Sequence, residues 1–284
     1  MKIAFAGLGV MGAPMARHLV AAGHSVSGFN RTPAKAQAWA EANGAAWAAT
    51  VTEAAAGAEL FVLCVGNDDD VRAVVTEALP HLAPAAVIVD HTTTSATVAR
   101  DMAALAAESG RSFIDAPVSG GQAGAENGQL SVMAGGDVGA LAQVEAAVMA
   151  YSKAIKHMGP AGSGQLTKMV NQIAIAGVVQ GLAEAIHFAK AAGLDTDAVY
   201  DAVSKGAAQS WQMDNRWKTA AAGQFEFGFA VDWMRKDLGL VLDEARANGA
   251  RLDLTALVDG YYAEVQALGG NRWDTSSLKA RLAP

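Results

Sequence analysis

A chain of 284 residues with 52% hydrophobic and 17% charged positions is too apolar for a disordered protein and long enough for one or two domains with a substantial core. Its 30 glycines against 7 prolines show no G-X-Y period, which excludes collagen and proline-rich linkers. A formal charge of -7 and a pI near 5.3 argue against nucleic acid as a partner, because a polyanion binder carries a basic stripe.

Residues 3–6 read as a short strand that stops at Gly7, and residues 13–22 as a helix closing at Gly23, with Pro14 tolerated in its first turn. Residues 24–29 form the next strand and 33–43 a helix, followed by strands at 60–65 and 87–89, the latter running into a threonine-rich turn. Alternating strand and helix predict right-handed βαβ units and a parallel sheet. Two later strands, 112–115 and 130–134, flank a glycine-rich loop at 116–129. After the glycine-rich segment 159–164 a helical pattern runs from 165 to about 192, and blocks 197–204, 232–248 and 254–268 lack convincing strands. The expected fold is α/β: a dinucleotide-binding Rossmann domain at 1–161, then an all-helical domain at 162–284.

The single cysteine, Cys64, cannot form an internal disulfide, follows Leu63 in an apolar run and reads as an inert strand residue. The N-terminus breaks at glycines and suits a strand better than a signal peptide, and no apolar stretch is expected to reach the roughly 20 residues that span a bilayer. These features lead to a reducing cytoplasm as the expected location, with no membrane partner. The six histidines show no HxH or HExxH spacing, so no metal site is expected.

Gly7-Leu8-Gly9-Val10-Met11-Gly12 matches G-x-G-x-x-G with a strand before it and a helix after it. Such a turn brings backbone N–H groups and a helix N-terminus to a pyrophosphate. A chance match is the competing reading of the bare motif, and its placement argues against chance. About 20 residues on, where an NAD-preferring Rossmann unit carries an acid for the ribose hydroxyls, the chain has Asn30-Arg31-Thr32. Arg31 offers a fork to a 2′-phosphate, Thr32 a hydroxyl, and Lys35 a second cation, so NADP(H) is favoured over NAD(H). An ordinary solvated arginine is the alternative. The turns after Val65 and Val89 stand at strand C-terminal ends, where ligands of doubly wound sheets bind, and Thr93 is the candidate contact there.

The segment Asp115-Ala116-Pro117-Val118-Ser119-Gly120-Gly121 places a hydroxyl and two glycines just after a strand, able to offer N–H donors and a hydroxyl to a substrate carboxylate. A plain flexible loop is the bland alternative. Lys168 and Asn171 share one face of an apolar helix, and a buried lysine is uncommon unless paired or used, although one near a helix end also snorkels. Lys236 lies opposite the face made by Val231, Met234, Leu238 and Val241, grouped with Trp233 and Leu240, and is either held there or solvated. Trp211, Met213 and Phe229 are loosely placed as pocket residues.

The blocks GLGVMGAPMA, NRT, DAPVSGGQAGAENGQLSVMAGG, GSGQLTKMVNQ and KDLGL together resemble the β-hydroxyacid dehydrogenase family over nearly the whole chain. The resemblance implies a 6-phosphogluconate dehydrogenase-like architecture and hydride transfer between NAD(P)(H) and a small β-hydroxy acid or its semialdehyde. It makes Lys168 the catalytic lysine, Ser119, Gly120, Gly121 and Asn171 substrate contacts, and Thr93 and Lys236 cofactor contacts. It also implies a homodimer or homotetramer joined through the helical domain. NRT is similar to the NADP-using branches, whereas several hydroxyisobutyrate enzymes are acidic there. Imine reductases share the architecture but usually replace the lysine. An imine reductase-like activity and a non-catalytic dinucleotide-sensing scaffold are the alternatives, and Lys168 with the Ser119 block weighs against both.

Overall fold

The N-terminal apolar run forms β1 (Lys2–Ala6), buried at every residue after Lys2. In this computed structural model, which describes residues 1–282, the chain continues through α1 (Gly12–Ala21), β2 (Ser25–Phe29), α2 (Pro33–Asn43), β3 (Ala46–Ala48), α3 (Val51–Ala55), β4 (Leu60–Leu63) and α4 (Asp68–Ala78). It goes on with β5 (Val87–Asp90), α5 (Ala96–Glu108), β6 (Ser112–Asp115), β7 (Val118–Ser119), α6 (Gly121–Glu126), β8 (Leu130–Gly135), α7 (Val138–Val148) and β9 (Ser152–Gly159). Five helices follow: α8 (Ser163–Ala191), α9 (Thr196–Val203), α10 (Trp211–Ala221), α11 (Val231–Asn248) and α12 (Asp253–Ala267). The chain divides into two compact units, Met1–Lys168 and Met169–Pro284. Ala283 and Pro284, the end of the expected helical domain, lie outside the described residues.

One sheet organises the first unit, in the order β3-β2-β1-β4-β5-β6-β8-β7, with β9 beside β8. β3 to β6 are parallel to their neighbours, as the alternating pattern predicts. β8 corrects the expectation of a wholly parallel sheet, because it runs antiparallel to both β6 and β7. The reason lies in 116–129, read as loop: Val118 and Ser119 pair with Val132 and Ser131, so the chain returns antiparallel after the short α6. β4 ends at Leu63, which leaves Cys64 half-buried just past the strand.

Period-two alternation divides the sheet's side chains between two cores. Ile3, Phe5, Val62, Val89 and Ile114 pack with α1 and α7 on one face. Ala4, Ala6, Phe61, Ile88 and Phe113 pack with α3, α4 and α5 on the other. Helix starts are fixed by side-chain caps: Thr50 with Glu53 at α3, Asn67 at α4, Ser95 at α5 and Asp137 at α7.

The second unit is helical. Ala176, Val179 and Ala183 of α8 pack against Val231, Met234 and Leu238 of α11 and Val258 and Tyr262 of α12. Further along α8, Ile186 meets Met213 and Trp217 of α10. By length and composition α8 is long and apolar enough to cross a membrane, contrary to the expectation that no stretch reaches that size. Packing accounts for part of its apolarity, with 39% of its most apolar window buried inside the protein.

Two titratable side chains are buried at the C-terminal end of the central strands. His91, just after β5, donates through Nδ1 to the Ala116 carbonyl at 2.6 Å and accepts at Nε2 from the Tyr151 hydroxyl at 2.8 Å. Burial lowers it from 6.5 to about 4. Asp115, the last residue of β6, is raised from 3.8 to about 6 by burial, against the pull of the backbone N–H groups it accepts from. The two act in opposite directions on stability. His91 contributes stability that is present above 6.5 and lost as pH falls towards about 4, whereas Asp115 contributes stability that is present below 3.8 and lost as pH rises through about 6. His91→Gln should therefore make the protein gain stability, relative to wild type, on going from pH 7 to pH 4.5. Urea unfolding at the two pH values measures this, and equal changes in the variant and wild type would contradict it.

Candidate active site

The turn between β1 and α1 combines crowded and open glycines. A Cβ on Gly12 would lie 1.9 Å from the Gly7 carbonyl oxygen, so this glycine is a packing necessity. A Cβ on Gly9 would meet nothing within 4 Å, so nothing in the packing demands a glycine there. α1 has Met11 at its N-cap, with no side-chain cap bond and no acid in its first turn. An open turn leading into an uncapped helix N-terminus fits a pyrophosphate. Of the remaining motif residues, Val10 is exposed and Met11 half-buried. The Leu8 side chain is buried, and its N–H donates to Asn30 Oδ1 at 3.2 Å. Asn30, whose Nδ2 also donates to the Thr32 carbonyl, thus holds the turn's shape.

Arg31 lies past the end of β2 with an exposed side chain, and its Nη1 is 3.2 Å from Asp70 Oδ1. Asp70 comes from the first turn of α4, where three aspartates stand together, and also accepts from the Gly66 N–H at 3.1 Å. Nothing in the sequence marks this carboxylate, which lies 39 residues beyond Arg31 and not directly after β2. Thr32 precedes α2 without a side-chain cap bond, and Lys35 is exposed on the first turn of α2.

The two turns expected to meet a ligand are tied to each other and to α8. The Val65 N–H donates to Thr92 Oγ1 at 3.0 Å. The fully buried Gln165 amide spans Thr93: its Nε2 donates to the Thr92 carbonyl at 2.8 Å and its Oε1 accepts from the Thr94 N–H at 3.0 Å. Gln165 is a functional candidate that its residue type and spacing do not mark. Asp115 accepts from the N–H groups of Gly162 at 2.7 Å and Gln165 at 2.9 Å, so its carboxylate receives the start of α8.

Lys168 stands on that helix, buried to 8% exposure, and its Nζ donates to the Val118 carbonyl at 2.8 Å. The first unit therefore brings the expected catalytic lysine to the residue before Ser119. Ser119 is half-buried in β7, and the exposed Gly120 and Gly121 turn the chain into α6, Gly120 at φ +133, where a side chain would be strained.

In the second unit, Asn171 Nδ2 donates to Gln172 Oε1 at 2.8 Å and Gln172 Nε2 to Asp237 Oδ2 at 2.6 Å. Lys236 Nζ lies 3.2 Å from Asp237 Oδ1. Asn171 and Lys236 thus belong to one polar chain, with Gln172 and Asp237 as links not foreseen. Met213, placed loosely in a pocket by sequence, is buried against Trp217 in the core, whereas Trp211 and Phe229 are exposed.

A family model described as the NAD binding domain of 6-phosphogluconate dehydrogenase matches residues 2–159, more than half the chain. Another, described as NAD-binding of NADP-dependent 3-hydroxyisobutyrate dehydrogenase, matches residues 162–282. The chain belongs to the β-hydroxyacid dehydrogenase family. Among its relatives, an uncharacterised oxidoreductase of Shewanella frigidimarina is 60% identical over 99% of this chain and 98% of its own length. A probable 3-hydroxyisobutyrate dehydrogenase-like protein of Arabidopsis thaliana is 37% identical over 98% of this chain and 84% of its own. The structure of Mycobacterium tuberculosis 3-hydroxyisobutyrate dehydrogenase with L-serine superposes with a TM-score of 0.91 at 35% identity, covering 99% of both chains. As a β-hydroxyacid dehydrogenase family member, the protein has an NAD(P)-binding first domain and a helical second one.

The two glycines separate packing from cofactor binding in this family member. Gly12→Ala should destabilise the fold by roughly 1–3 kcal/mol or more, as overpacking does. Gly9→Ala should melt like wild type yet bind the dinucleotide more weakly. Thermal melts paired with cofactor titration check this, and a Gly9→Ala protein with wild-type affinity would remove the turn from the binding site.

Proposed function

We propose that the protein transfers a hydride between NADP(H), in preference to NAD(H), and a small β-hydroxy acid or its semialdehyde, with Lys168 as general acid and base. The observation that carries this reading is the buried Lys168 ammonium, held at the Val118 carbonyl directly before the Ser119 turn. The bound nicotinamide supplies or accepts the hydride. Lys168 Nζ gives a proton to the carbonyl oxygen of an aldehyde during reduction and takes one from the hydroxyl during oxidation. The Ser119 hydroxyl and the backbone N–H groups of Gly120 and Gly121 receive the substrate carboxylate, and Asn171, one turn beyond Lys168 on the same helix, orients the reacting oxygen.

The glycine turn, Val65, Thr93 and Lys236 contribute to dinucleotide binding, with Arg31 and Lys35 facing the 2′-phosphate. Arg31 supports NADP(H), since a guanidinium fork matches a phosphate and no acid follows β2. L-serine in the M. tuberculosis relative is a small β-hydroxy carboxylate, the chemical class proposed here.

Lys168→Ala should lower turnover by about 10² to 10⁴, the usual cost of losing a positioned general acid. Cofactor affinity should change far less, since the glycine turn is untouched. Steady-state rates beside NADPH fluorescence titration measure both. Turnover close to wild type would overturn the lysine's role.

We further infer self-association through α8. Val170, Val178 and Phe188 are exposed along this helix, and an apolar groove beside it is lined by Leu182, Leu194 and Trp217. A second copy is the occupant proposed, because closed self-association is the commonest way to cover such a face. Sedimentation should show a dimer or tetramer, and Phe188→Glu should shift it towards monomer. A wild-type protein that sediments only as a monomer would refute the inference.

A further inference from the structure

The Arg31 guanidinium, assigned above to the 2′-phosphate, already has a carboxylate beside it. Asp70 Oδ1 lies 3.2 Å from Arg31 Nη1, and the Arg31 side chain is 85% exposed while that of Asp70 is only 27%. The aspartate is the fixed partner. Its Oδ2 accepts from the Gly66 N–H at 3.1 Å and its own N–H is taken by Asn67 Oδ1 at 2.9 Å, so the carboxylate is anchored to the turn between β4 and α4. A Cβ on Gly66 would lie 2.6 Å from Asp70 Oδ2, so a glycine is needed for the carboxylate to settle there. The neighbouring acid is employed differently: Asp68 accepts from the Ser95 N–H at 3.0 Å and from its hydroxyl at 2.5 Å, joining α4 to α5. Asp70 is thus the member of the acidic turn aimed at the β2 end.

We infer that Asp70 is a cofactor-specificity residue, whose carboxylate competes with the 2′-phosphate for Arg31 and keeps the preference for NADP(H) over NAD(H) moderate. The inference rests on the assignment of Arg31 to the 2′-phosphate. A phosphate arriving at Arg31 must displace or share the guanidinium with a fixed carboxylate that already holds it. NAD(H), with no phosphate at the 2′ position, meets no such competition. The carboxylate that NAD-preferring Rossmann units place directly after the second strand is replaced here by one reaching the same end of the sheet from a different helix.

The quantity to measure is the ratio Kd(NADH)/Kd(NADPH), obtained by fluorescence titration of wild type, Asp70→Asn, Arg31→Ala and the double variant at low and high salt. Asn at position 70 can still accept from the Gly66 N–H, and a general loosening of the turn weakens both cofactors and leaves the ratio alone. Exposed ion pairs are worth little, so Asp70→Asn should raise the ratio on the order of 3- to 10-fold. The gain should shrink at high salt and be absent in the Arg31→Ala background. If Arg31→Ala lowers the ratio while Asp70→Asn leaves it unchanged, the phosphate role stands and the competition is overturned. If Arg31→Ala leaves the ratio unchanged, the phosphate assignment falls and the inference falls with it. A gain from Asp70→Asn that persists without Arg31 would also overturn the competition.

Discussion

A buried carboxylate at the end of one strand sets the position of Lys168. Asp115 closes β6, and the N–H groups of Gly162 and Gln165 converge on its two oxygens at 2.7 and 2.9 Å. These donors belong to the first turn of α8 and the residue just before it, so that first turn is seated on the end of β6. Lys168 follows one turn later, and only that seating brings its ammonium to the strand segment after Pro117. Burial of the carboxylate is costly, which shows in its raised pKa of about 6, and the convergent donors offset that cost. The contact also explains two glycines. A Cβ on Gly135 or Gly164 would press within 2.6 Å of an Asp115 oxygen, so neither position tolerates a side chain.

Around this anchor the turns at the strand ends are interlocked. Gln165 straps the β5–α5 turn from two sides, Thr92 of that turn holds the N–H of Val65, and Asn30 holds the glycine turn through Leu8. Each turn is a loop at the C-terminal end of a parallel strand, where the chain would otherwise be free to move. Side chains from elsewhere supply the missing hydrogen bonds and so hold these loops in shape.

The legible part of the sequence was the part written locally. The α2 span is legible to the residue because Pro33 opens it and Gly44, in the left-handed region, closes it. β6 was equally clear, as a buried run ended by an acid. β9 was missed because, at the rim of the sheet, it is mostly exposed and reads as polar. α6 was hidden by its glycines, and α10 by a polar, tryptophan-containing sequence with little apolar excess. The glycine motif, Lys168 and the Ser119 block announced themselves by residue type and spacing. Gln165, Asp115 and Asp70 did not, since their partners lie as far as 73, 50 and 39 residues away along the chain and only the sheet topology brings them together.

The clamps on the two central turns share a chemical trait. Gln165 and Asn30 are both neutral amides, each offering a donor and an acceptor at once. A carboxylate in either place would supply the acceptor and lose the donor. It would also add a negative field beside turns of the NAD(P)-binding domain. These two side chains carry no charge, so the hydrogen bonds they themselves make do not titrate. Charge at these strand ends is left to side chains outside the two clamps, among them Lys168, Arg31 and Asp70.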